Sequence, residues 1–142
     1  MKVIVLLGCA LVVCMNSGAQ SQEGKPRTTA EGVFTQEQAK SGEDTYQAQC
    51  AGCHGVDLHS TDSEAPDLTD GSFKFGWVGK TIAEMFGTIR STMPLDNGGS
   101  LNDQTYLDIV TYILQFNEIP SGPKKLEPDV QILKQIVIVA PK

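Results

Sequence analysis

Six consecutive residues, CAGCHG at positions 50 to 55, constrain this 142-residue chain more than any other feature. They place two of its four cysteines and one of its two histidines side by side. Three chemistries compete for them. A redox-active Cys50–Cys53 pair of the thioredoxin type needs a strand leading into the motif, and what precedes it here is helical. A zinc site needs four ligands; Cys50, Cys53, His54 and His59 are the candidates, His59 sits too near His54 in sequence, and carboxylates would have to be recruited. The third reading uses every residue of the C-x-x-C-H pattern. The two thiols add across the vinyl groups of one haem to form thioethers, and His54 offers an imidazole nitrogen to the iron. On a helix, sulfurs three residues apart share a side, so both can reach one porphyrin edge. One covalent haem c per chain is therefore expected, with Cys50 and Cys53 as attachment points.

The helical periodicity around the motif supports this. Thr35 and Gln38 read as a capping box opening a helix whose Ala39, Gly42, Tyr46, Cys50 and Cys53 fall at intervals of three and four. Gly42 within a helix costs about 1 kcal/mol against alanine, which suggests a close helix crossing or an incidental glycine. A second helix opens at Thr81 and Glu84 and is striped by Ile82, Met85, Phe86 and Ile89. A third runs from about Asn102 to Phe116, with Tyr106, Ile109, Val110, Ile113 and Phe116 on one side. The fold class expected is all-α, three core helices around the haem.

Of the methionines beyond the N-terminal run, Met85 belongs to an apolar stripe and reads as core. Met93 lies in STMPLDNGG, where Pro94 holds the preceding residue extended and Asn97, Gly98 and Gly99 permit a sharp turn. Such a loop can lay a thioether over iron, so Met93 is the expected partner of His54 as axial ligand. Phe73, Phe75 and Trp77 read as pocket wall, with the Trp77 indole available to a haem propionate; Lys74 and Lys80 read as solvated surface or as flanks of the haem edge.

The ends of the chain differ from its middle. Lys2, the apolar run Val3 to Met15 and a small, polar stretch ending at Ala19 read as a signal peptide, residues 1–19, because thirteen apolar residues fall short of the about 20 a membrane span needs. Export to the periplasm follows. Membrane attachment is expected only if Cys14, in a loose lipoprotein-like LVVC, is acylated or if the leader is retained. Residues 20–33 read as a flexible N-terminal segment, 34–118 as the haem domain, and 119–142 as a C-terminal extension packed on it, with a short helix around Val130 to Ile136 and a strand at IVIV. Removing residues 1–19 takes away Lys2 and no acid, moving the formal charge from −6 to −7. That balance excludes nucleic acid and favours a partner with a basic docking patch.

From Phe34 to Phe116 the chain resembles class I cytochrome c: the helix with Gly42 and Tyr46, CAGCHG, APDL, the STMP loop and the closing YLDIVTYIL. The resemblance implies that the Pro66 carbonyl receives the second ring nitrogen of His54, that Leu68 packs on the proximal haem face, and that Met93 is the sixth ligand. The stretches FGWVGKTIAEMFGTIRSTMP and NEIPSGPKKLEPDVQILKQI look like cytochrome domains that accompany bacterial quinoprotein dehydrogenases. The function so implied is a one-electron carrier between a donor dehydrogenase and an acceptor oxidase or other cytochrome, with no substrate turnover of its own. A haem enzyme or gas sensor with an open sixth site is the alternative.

Overall fold

The computed structural model describes residues 26–141; the leader, with Cys9 and Cys14, lies outside them. Two long helices set the frame. Helix α1 (Gln36–Gln49) is capped by Thr35, whose hydroxyl accepts the Gln38 amide hydrogen at 3.1 Å. The reciprocal half of the expected capping box does not form. The buried Gln38 side chain turns inward instead, donating to Leu126 O and to Asp108 Oδ1, each at 2.9 Å, and accepting from Leu126 N at 2.8 Å. A buried amide satisfies more of its hydrogen-bonding capacity across the fold than it could at the helix end.

Helix α1 also stops sooner than its periodicity predicts. Cys50 leaves helical geometry (φ −122°, ψ −33°) and a single fresh turn, α2 (Ala51–His54), carries Cys53 and His54. The continuous helix expected through the motif is therefore broken at its first cysteine.

Helix α3 (Asp70–Trp77) has no counterpart in the expected three-helix plan. It buries Phe73 but leaves Phe75 96% exposed, so Phe75 is not pocket wall as its aromatic neighbours suggested. Helix α4 (Ile82–Thr92) starts as predicted: Glu84 N donates to Thr81 Oγ1 and Thr81 N donates to Glu84 Oε2. Helix α5 (Asp103–Phe116) is capped by Asn102, whose side-chain oxygen accepts from Thr105 N at 2.9 Å. Its Ile109, Val110 and Ile113 are core; Phe116, expected among them, is the last residue of the helix and 40% exposed, meeting Tyr112 edge-on.

α1 crosses α5 at Gly42. A Cβ there would fall 1.9 Å from the Asp108 carbonyl oxygen, so the partner at the crossing is the Asp108 backbone rather than the side chains of Ile109 or Tyr112. One turn on, the rings of Tyr46 and Tyr112 meet at 5.2 Å between centroids with their planes tilted by 52°.

The segment expected to be a flexible tether is instead part of the fold from Arg27 onward. Strand β1 (Arg27–Thr28) pairs in parallel with β2 (Ile136–Val137), in register Arg27 to Ile136 and Thr28 to Val137. The buried Thr29 hydroxyl accepts from Val139 N at 3.1 Å, and Val33 and Phe34 enter the core. Local composition suggests a linker; order comes from a partner more than 100 residues away, which no local window contains. The C-terminal residues contribute buried side chains and backbone hydrogen bonds. Asp129 caps α6 (Val130–Leu133), Leu133, Ile136 and Ile138 are buried, and Ile138 exchanges hydrogen bonds with Gly79 and Lys80 at the start of α4.

Candidate functional site

A cavity of about 390 Å³ opens between α2, the 60s loop, α4 and α5, and Cys50, Cys53, His54, Pro66, Leu68, Trp77 and Met93 line it; Phe73, expected beside Trp77 as pocket wall, is buried in α3 and borders a different cavity, with Lys74 and Phe116. Its other walls are mainly apolar, with Met85, Ile89, Ile109 and Ile113 prominent. This is the size range of a small-molecule or cofactor site.

His54 is buried and aimed. Its Nδ1 lies 3.0 Å from Pro66 O, and since a carbonyl can only accept, Nδ1 carries the proton. The lone pair is thereby left on Nε2. Tyr46 fixes the backbone beneath, its hydroxyl donating to Gly55 O at 2.8 Å and to His54 O at 3.2 Å. The final letter of CAGCHG is explained here as well. Gly55 adopts φ +77°, and a Cβ on it would stand 1.8 Å from His59 O, so the chain can fold back under the histidine only at glycine.

The return loop presents Pro66 through several anchors. Leu68 N donates to Leu58 O at 2.9 Å, Thr61 N to Cys53 O at 3.2 Å, and Asn117 Nδ2, at the C-terminal end of α5, to Leu68 O at 2.9 Å. Asn117 and Leu58 escaped the sequence reading: neither stands in a motif, and their signal is only tertiary.

Burial, and secondarily the nearby Cys53, pushes the Cys50 thiol up to about 11. A neutral sulfur facing an apolar cavity suits a thioether and not a thiolate metal ligand. Among the described residues, Cys50 and Cys53 are not bridged, and no group of three or more His, Cys, Asp or Glu side chains could hold a metal ion, which leaves the zinc reading without a site.

Met93, which also lines the cavity, caps α4 with extended geometry (φ −122°, ψ 149°), as Pro94 after it predicts. Its amide donates to Ile89 O at 2.9 Å and its carbonyl accepts from Tyr106 Oη at 2.7 Å. Met85, expected to be core, is fully buried and also reaches the cavity wall. Trp77 forms a half-buried wall with Lys80 Nζ 5.1 Å from its ring centroid; Lys74 lies away from this cavity, beside Phe116 and Asn117. An apolar cavity lined by two thiols, an oriented imidazole and a methionine fits a haem.

Tyr46 carries a pH consequence. Burial first, and the Cys50 sulfur second, hold its phenol well above the ordinary value of 10.0, and burial raises Tyr112 too. The folded state thus keeps protons that the unfolded chain releases near pH 10, so this stabilisation is complete below pH 10 and is lost as pH rises beyond it. Denaturant midpoints should be flat on the neutral side and fall on the alkaline side, with a shallower fall in Tyr46→Phe.

Residues 37–113, just over half of the chain, match the family described as "Cytochrome C oxidase, cbb3-type, subunit III". The chain belongs to this family of c-type cytochromes. Membership implies covalently bound haem c. Among characterised relatives it is similar to cytochrome c-551 of Bacillus subtilis (strain 168), 35% identical over 72 residues, covering 51% of this chain and 62% of that protein. No solved structure matches.

Proposed function

We propose that this chain is an exported single-haem shuttle in which Cys50 and Cys53 hold the haem through thioethers and His54 Nε2 and Met93 Sδ are its axial ligands. Bound there, haem iron supplies a one-electron Fe(III)/Fe(II) couple. The observation that carries the reading is the convergence of both thiols, the imidazole and the thioether on one apolar cavity, with the second imidazole nitrogen already engaged by Pro66.

Each residue then has a task. Pro66 keeps His54 a donor of fixed orientation, the outer-shell role that tunes a ligand's basicity. Met93 would hold the second axial position, so that one-electron chemistry at the bound group would need little rearrangement of its ligands. The walls of Leu68, Ile109 and Ile113 exclude water and, with the thioether, favour reduced iron. Trp77 borders a propionate. Residues 1–19 serve as export leader, 34–118 form the haem domain, and 119–142 brace it.

The partner is a redox protein. Asp62 and Glu64 line the cavity, no lysine or arginine among the described residues does, and the exposed apolar Val56 (70%) and Leu95 (74%) follow His54 and Met93 in sequence. An acidic rim with apolar centres suits a donor dehydrogenase, quinoprotein or other, or an acceptor oxidase bearing a basic patch. Its rate of reduction by such a partner should fall with added salt.

The test is covalency. Protein matured in cells competent for haem attachment should keep its pigment through denaturation and acidic organic extraction, and Cys50→Ser with Cys53→Ser should lose it. Pigment that washes out of the parent overturns the reading.

A further inference from the structure

We infer that Tyr106 is a positioning residue for the distal iron ligand, its hydroxyl clamping the Met93 backbone to α5; the inference rests on the ligation proposed above. Tyr106 sits in the first turns of α5 with 1% of its surface exposed. Its hydroxyl donates to Met93 O at 2.7 Å and accepts from Leu101 N at 3.4 Å. One oxygen therefore touches both ends of the loop from Met93 to Leu101, at the residue where the loop leaves α4 and at the residue where it returns to α5.

The consequence follows from what else holds Met93. Its amide is bonded to Ile89 O within α4, so its carbonyl is the group that relates it to α5, whose Ile109 and Ile113 form the cavity wall beneath. With both backbone groups engaged, the Cα from which the thioether projects is fixed relative to both helices. A thioether is a weak donor, and its occupancy of iron depends on being presented rather than on its own affinity. The outer exposed pair Arg90–Asp103 also links the end of α4 to the start of α5, but solvent screens it and it touches no loop atom. A buried hydroxyl whose removal leaves a carbonyl unpartnered is the stronger restraint.

The test is ligand competition in the oxidised holoprotein. In Tyr106→Phe the ring still fills its place in the core, so pigment attachment and helical circular dichroism should be kept. Cyanide should displace the thioether with about tenfold higher affinity than in the parent. The sulfur-to-iron charge-transfer band should also fade at a lower temperature. Tyr112→Phe, which removes a hydroxyl from the same helix without touching the loop, should behave as the parent. A Tyr106→Phe protein indistinguishable from the parent, or a Tyr112→Phe protein loosened equally, overturns the inference. Met93→Ala separates the two readings: a band that survives it overturns the ligation itself, whereas its loss beside an unaltered Tyr106→Phe sinks only the role of Tyr106. Independently of any variant, the Tyr106 hydroxyl proton of the reduced parent should exchange slowly and show a nuclear Overhauser contact to the 93–94 backbone; rapid exchange would equally overturn the clamp.

Discussion

Met93→Ala lowers the reduction potential by on the order of 100–200 mV, a fraction of the ~0.8 V over which axial ligation sets haem potentials, and leaves the pigment covalently attached. The direction follows from the proposed ligation. A thioether favours the reduced iron, and the small side chain opens the sixth position to water, which favours the oxidised form. Met85 provides the internal comparison, since it reaches the same cavity from the middle of α4. Met85→Leu conserves volume and should shift the potential little, at a stability cost under about 1.5 kcal/mol. Spectroelectrochemical titration of the two variants decides between them; a large shift in Met85→Leu with none in Met93→Ala would mean that the wrong sulfur was chosen.

Gly42→Ala destabilises the protein by about 3 kcal/mol or more, although alanine is favoured over glycine by about 1 kcal/mol in a helix interior. The added methyl has no place to go. Its nearest neighbours are backbone atoms, Asp108 O at 1.9 Å and Asp108 C at 2.4 Å, and backbone cannot rotate away as a side chain can. Relief requires α5 to move off α1, and α5 carries Ile109 and Ile113 of the cavity wall, so haem retention on the distal side should suffer as well. Gly87→Ala supplies the opposite expectation. Gly87 lies exposed in α4 with nothing within 4 Å of its would-be Cβ, and there the propensity gain should appear unopposed. Thermal or chemical denaturation of both variants reads the contrast, and a neutral Gly42→Ala would dismiss the backbone crossing.

Much of the site was legible beforehand because its chemistry is local. C-x-x-C-H packs two sulfurs and an imidazole into five residues, and an extended Met before Pro after an amphipathic helix is equally visible. The caps at Thr81 and Asn102 and the stripe of α5 also follow from neighbours three and four apart. Other features were opaque for the converse reason. Gln38 looked like half of a capping box, yet its amide is claimed by Leu126, 88 residues away. Phe75 looked like Phe73 and Trp77, but α3 turns it to solvent. Tyr106 looked like one more apolar stripe residue; a fully buried phenol does need a partner for its hydroxyl, and that rule was the available hint.

The residues proposed for haem attachment and axial ligation at CAGCHG, and the helical class, follow from side-chain type and short spacing, which a linear chain carries in itself. The pairing of Arg27–Thr28 with Ile136–Val137, the Gln38–Leu126 bonds and the amide tether from Asn117 to Leu68 exist only once distant segments meet. Hydrogen bonds between groups far apart in sequence have no periodic signature, so only the folded arrangement could assign them.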